Sequence, residues 1–205
     1  KNLISVAGAR WEAKDLADKL LAHKSFFDTM GGGITLSGGE PLLQIDFLIE
    51  LFTLAKKEGV HTTLDTCGQP FTFKEPFISK FKQIMDVTDL VLLDIKHIDE
   101  MAHKELTVHT NQNILKLAKY LSDIQKPVWI RHVLVPTINT DEKDLERLHQ
   151  FINTLKNVGR VEVLPYHTLG AYKWKELGLE YPLEGVEPPT EKQLKIANAI
   201  LDTGK

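Results

Sequence analysis

Leu90-Val-Leu-Leu-Asp94 is a five-residue run that stays apolar until its last position. So short a run reads as a strand of a parallel sheet with both faces covered. Parallel strands are joined by crossovers, so a helix is expected on either side of it. Both are present as patterns. Downstream, residues 111–124 place Ile114, Leu117, Ala118 and Leu121 on one helical face. Upstream, residues 75–85 carry a shorter helical pattern ahead of the run.

The alternation continues in both directions. Toward the C-terminus, residues 128–135 form a strand signal closed by Pro136. Asn139-Thr-Asp-Glu142 then resembles a helix cap, with Leu145, Leu148, Phe151, Ile152 and Leu155 as the apolar stripe behind it. Residues 161–164 give the last strand, and Thr190-Glu-Lys-Gln193 reads as a capping box opening a terminal helix. Toward the N-terminus come a strand at 60–64 and an amphipathic helix at 45–58 stopped by Gly59. Before these lie a strand at 33–37 and a helix at 12–27. Five strand centres recur roughly every thirty residues, the size of one βα unit. The pattern therefore predicts an α/β domain with a parallel sheet and right-handed crossovers. A doubly wound sheet and a partial barrel both satisfy it, whereas a complete eight-unit barrel needs about 250 residues.

Composition narrows the function classes. The 205 residues carry 25 Lys and Arg against 28 Asp and Glu, a formal charge of −3 without a basic run. Nucleic-acid binding through phosphate contacts is not supported by such a balance. No apolar stretch is long enough to span a membrane. The single cysteine, Cys67, cannot form an internal disulfide or supply a set of thiolates for zinc or an iron–sulfur cluster.

In parallel α/β architectures the active site lies at the carboxyl ends of the strands. Here those ends carry Ser37-Gly-Gly-Glu-Pro41, Asp65-Thr-Cys-Gly68, Asp94-Ile-Lys96, Arg131 within the fourth strand, and Leu164-Pro-Tyr-His167. Each has an ordinary reading. The glycines can be turn punctuation, Asp65 a cap, Asp94 and Lys96 a structural ion pair on one strand face, and His167 a surface histidine. Their coincidence at one rim favours a site. His97, His103 and His109, spaced six apart, suit neither a helix face nor a strand and read as loop or surface residues. Trp11, Trp129 and Trp174 read as packing, with Trp174 in a loop-like stretch placed to cover a site. Cys67 reads as a small buried side chain, not a nucleophile.

Taken together, Gly31-Gly-Gly-Ile-Thr-Leu-Ser-Gly-Gly-Glu40, Leu64-Asp-Thr-Cys-Gly68, Leu93-Asp-Ile-Lys96, Val128-Trp-Ile-Arg131 and Leu164-Pro-Tyr-His167 resemble the pyruvate formate-lyase activating enzymes. These are glycyl-radical-enzyme activases of the radical S-adenosylmethionine superfamily. The likeness runs through nearly the whole chain, including Leu169-Gly-Ala-Tyr-Lys-Trp174 and residues 181–189. It implies a (β/α)6 partial TIM-type barrel that holds a four-iron four-sulfur cluster and S-adenosylmethionine. The cofactor is cleaved reductively to a 5′-deoxyadenosyl radical, which takes hydrogen from a glycine of the partner. Gly38, Gly39 and Glu40 match the motif that meets the cofactor's amino group. Asp94, Ile95 and Lys96 match the segment that fixes it, with Lys96 on its carboxylate. His167 matches the adenosine contact, Asp65 would hold the polar end, and Arg131 would balance the acids. The implied partners are pyruvate formate-lyase and, as electron donor, flavodoxin or ferredoxin, in the cytoplasm and away from membranes and nucleic acid.

One departure stands out. The family's cluster depends on three cysteines spaced C-x3-C-x2-C after its first strand, and this sequence has no such motif. Cys67 matches a non-ligand position. The expectation is therefore a single radical S-adenosylmethionine core domain over residues 1–205, truncated at its N-terminus to about five βα units. It would have no catalytic or metal-ligating side chain of its own, be inactive alone, and be of modest stability or self-associating through the edge at 33–37. Three alternatives compete: a non-catalytic S-adenosylmethionine- or partner-binding module, an activase of another glycyl radical enzyme, and a barrel lyase or hydrolase using Asp65, Asp94, Lys96 and His167 as acid–base groups.

Overall fold

A computed structural model describes residues 8–203. Five strands form one parallel sheet: β1 (Gly33–Leu36), β2 (His61–Thr66), β3 (Leu90–Asp94), β4 (Val128–Leu134) and β5 (Val158–Pro165). Their order in space is their order in sequence. A doubly wound sheet reverses direction partway, but this one never does. Right-handed crossovers taken always in one direction put every helix on the same face, which curls the sheet into a partial barrel.

The helices between strands are α3 (Ile45–Lys57), α4 (Phe77–Asp86), α5 (Glu100–Thr107), α6 (Gln112–Asp123) and α7 (Glu142–Ile152). After β5 come the short α8 (Ala171–Glu176) and α9 (Glu191–Leu201), the latter opened by the expected capping box on Thr190 and Gln193. Gly59, in the left-handed region at φ 72°, follows the C-terminal end of α3. The main core lies between the outer sheet face and these helices, built on Leu64, Val91, Leu93, Val128 and Ile130 against Phe52, Phe81, Leu117 and Leu148.

Three local expectations are revised. β3 is covered on one face, not two: Val91 and Leu93 are buried, while Leu90, Leu92 and Asp94 are only partly so because they face the concave side. The helix expected at 12–27 is split into α1 (Ala13–Leu21) and α2 (Lys24–Met30). The break at residues 22–23 lets Ala13 and Ala17 pack on Leu51 while Phe27 reaches Ile34 and Val60. The cap of α7 is Asp141, which accepts from the N–H groups of Lys143 and Asp144; Asn139 is engaged elsewhere.

Candidate functional site

The concave face of the sheet carries the polar side chains, because alternate strand residues point away from the core. On β4, the buried Ile130 and His132 alternate with the partly exposed Trp129, Arg131 and Val133. Register then decides which groups meet. Asp94, the last residue of β3, lies directly opposite Arg131 of β4. Asp65 of β2 lies opposite Leu92, one inward-facing position earlier.

These residues form one linked set. Arg131 Nη1 reaches Asp65 Oδ2 at 2.8 Å, and its Nε lies 3.9 Å from Asp94 Oδ1. Lys96 Nζ meets Asp94 Oδ2 at 3.2 Å. Two carboxylates thus face two cations on a half-covered rim. Asp94 Oδ1 is buried without a hydrogen bond, and the Arg131 guanidinium faces it across 3.9 Å. Ile95 comes to the rim only through its main chain. Its N–H donates to Arg131 O at 3.0 Å, and its side chain is fully buried in the core.

The loop after β1 is set by Glu40. Its Oε1 accepts from Leu42 N at 3.0 Å and from Thr66 Oγ1 at 2.6 Å, and its Oε2 accepts from Cys67 N at 2.9 Å. Thr66 Oγ1 in turn accepts from Gly68 N at 2.9 Å. The carboxylate therefore clamps the turn after β1 to the end of β2. Gly38 has φ of 145°, a conformation side chains rarely adopt, and a Cβ there or at Gly39 would meet nothing within 4 Å. The glycines keep this stretch of backbone open. Burial, and then the adjacent Glu40 carboxylate, pushes the Cys67 thiol up to about 11.

His167 stands exposed just beyond β5, at the same end of the sheet. Its neighbour Tyr166 is buried and shares a 2.6 Å hydrogen bond with Tyr181, tying the segment after α8 to the end of β5. Trp174 lies in α8 rather than in a loop, its ring 5.8 Å from that of Tyr181. His97 lies in a loop as expected but, like His103, is only 2% exposed, so neither is a surface residue. The unforeseen helix α5 folds His103 inward, where its Nδ1 meets His109 O at 2.8 Å; His109 itself is exposed.

Part of the concave face lies outside the residues expected from the sequence. Glu162 lies opposite Arg131 on β5 and pairs with Arg160 at 3.1 Å, and the Arg160 guanidinium lies over the Trp129 ring at 5.0 Å. The signal was available, since Val161 and Val163 alternate with these charges.

A curved parallel sheet with glycine-lined backbone, carboxylates and a lysine at its carboxyl rim is suited to a small zwitterion. Likeness to known proteins gives the family. A model of the Radical SAM superfamily matches residues 10–152. The chain is 55% identical over 196 residues to the pyruvate formate-lyase-activating enzyme of Listeria monocytogenes, covering 96% of this chain and 79% of the relative. It is 54% identical over 192 residues to the corresponding enzyme of Streptococcus mutans, covering 93% and 72%. Among solved structures, a domain of the pyruvate-formate lyase-activating enzyme from Bacteroides vulgatus superposes with a TM-score of 0.67 at 27% identity, covering 84% of this chain and 95% of that one. The chain belongs to the Radical SAM superfamily and, within it, to the family of the pyruvate formate-lyase-activating enzymes.

Proposed function

We propose that this chain forms the S-adenosylmethionine-binding barrel of an enzyme that installs a glycyl radical on pyruvate formate-lyase, with flavodoxin or ferredoxin as the source of electrons. The observation that carries the reading is the set Asp65, Asp94, Lys96 and Arg131, held in register at the rim beside the open Gly38-Gly39 backbone.

The residues suit the cofactor. Lys96 offers a cation to its carboxylate, and the main-chain carbonyls at Gly38 and Gly39 can approach its ammonium without side-chain obstruction. Asp94, through its Oδ2, holds the Lys96 ammonium at the rim, and Asp65 holds Arg131 beside the same carboxylate. Glu40, its oxygens already engaged, holds the glycine loop, and His167 lies within the same rim for the adenosine end. Bound there, S-adenosylmethionine would supply on one-electron reduction the carbon radical that takes hydrogen from a glycine.

The residues do not suit the cluster. Cys67 is the one cysteine of the sequence, its thiol is pushed to about 11, and among the described residues no three His, Cys, Asp or Glu side chains are grouped to hold a metal ion. The thiolates would have to come from outside these 205 residues. No step through a cluster is assigned to this chain.

An anaerobic assay tests the reading. The chain, fused to a segment supplying three cysteines and loaded with iron and sulfide, is incubated with pyruvate formate-lyase, S-adenosylmethionine and a reductant. Growth of a glycyl-radical paramagnetic signal is expected. A folded, four-iron fusion that yields none would overturn it.

A further inference from the structure

Four consecutive carbonyls, those of residues 95–98, are each held by a buried side chain. His132 Nδ1 donates to Ile95 O at 2.8 Å, and Asn139 Nδ2 donates to Lys96 O at 3.0 Å. Asn111 Nδ2 donates to both His97 O, at 3.1 Å, and Ile98 O, at 2.7 Å. The donors come from three places in the chain: β4, the turn that follows it, and the residue before α6. All three are only 2% exposed.

Ordinary uses of these side chains are given up. Asn111 occupies the N-cap of α6 yet makes no capping bond. Asn139, in a sequence that resembles a cap, instead spans its own turn, accepting from Val135 N at 2.7 Å and donating also to Val133 O at 2.8 Å. Burying three polar side chains is unfavourable unless their hydrogen bonds are made. Here nearly every bond they make ends on the turn itself or on the backbone just past β3. The sheet's own pairing of β3 with β4 ends at Asp94 and Arg131, so without these donors the backbone bearing Lys96 would leave the sheet with its carbonyls unheld.

We propose that His132, Asn139 and Asn111 are positioning residues that fix the 95–98 backbone, and through it the place of the Lys96 ammonium beside Asp94, so setting the rim's affinity for the carboxylate end of its cofactor. The proposal rests on the reading of the rim given above. None of the three side chains touches the cofactor; they act through the main chain.

The test uses the chain itself with His132→Leu, His132→Asn and Asn139→Asp. Asn at 132 keeps an N–H near the place of Nδ1, whereas Leu removes it. Asp at 139 keeps the acceptor for Val135 but loses both donors. Amide exchange and calorimetric titration with S-adenosylmethionine and 5′-methylthioadenosine are read on each. The Leu and Asp variants are expected to lose about tenfold in protection at the two hydrogen-bonded amides of the segment 95–99, those of Ile95 and Asp99, while amides of β4 keep theirs. They are also expected to bind S-adenosylmethionine about tenfold more weakly, with methylthioadenosine, which lacks the carboxylate, unaffected. His132→Asn should match the parent in both readouts. Protection lost evenly across the sheet, or lost at 95–99 without any change in affinity, would overturn the proposal, as would an Asn variant as impaired as Leu. A parent chain that binds neither ligand would instead sink the reading of the rim, and the exchange pattern alone would then decide whether the three side chains hold the segment.

Discussion

The carboxylate of Glu40 accepts the main-chain N–H of Cys67 at 2.9 Å, joining two strand ends that lie 27 residues apart in sequence. The same group also takes the Thr66 hydroxyl and the Leu42 N–H. Glu40→Ala leaves these donors without their acceptor and should destabilise the chain by about 2 kcal/mol in denaturant titration. Glu40→Gln should cost less, because its Oε1 still accepts from Leu42 and Thr66 and only the Cys67 N–H would face the amide NH2.

Cys67 reports the same contact chemically. A thiol at about 11 is almost wholly protonated at pH 8, so alkylation by iodoacetamide should be slow in the native chain. Glu40→Gln removes one of the groups raising that value, so the reaction should speed up at fixed pH. Equal rates in the two proteins would contradict the placement of the carboxylate.

Arg131 is the cation shared by Asp65 and Asp94. Arg131→Met leaves two half-covered carboxylates facing each other and should cost about 2 kcal/mol in stability. Adding Asp65→Asn should recover part of that loss. If the two substitutions are simply additive, the acids are not coupled through the arginine.

Burial first of all holds His132 and His103 below the ordinary histidine value of 6.5. His97 and Lys96 act in the same direction on both, whereas hydrogen bonds to backbone groups oppose the shift. Folding therefore favours the neutral rings. Their contribution is fully present above about pH 6.5 and is lost as pH falls toward the depressed values. The urea midpoint should decline from pH 7 to pH 5, and His132→Asn should decline less steeply.

Val108 ends α5 with φ at 68° and is 79% exposed. A β-branched residue is strained in that conformation and here loses no packing when removed. Val108→Gly should raise stability by about 1 kcal/mol, measurable as a higher melting temperature.

The strands were legible in the sequence because a βα unit repeats its apolar pattern, and the polar rim followed from the rule that strand carboxyl ends gather function. Strand order was not legible: residues 33–37 and 60–64 are equally good neighbours in a doubly wound sheet, and only pairing in space decides. The helix at Glu100–Thr107 is not legible because its apolar positions are few, and with it the inward turn of His103 stays hidden. The roles of Asn111 and Asn139 were hidden for a different reason. An asparagine before a helix reads as a cap, and its choice of a distant carbonyl depends on tertiary packing that no local window contains.

Recognition of S-adenosylmethionine at the rim through its amino-acid end is tested most directly by calorimetry. The chain and its Lys96→Ala variant are titrated with S-adenosylmethionine and with 5′-methylthioadenosine, alongside unfolding curves showing that the variant is folded. Saturable binding of S-adenosylmethionine by the parent is expected, weakened by Lys96→Ala, with methylthioadenosine bound equally by both. Binding of S-adenosylmethionine that is unchanged by the substitution, or no binding by a folded parent chain, would contradict it.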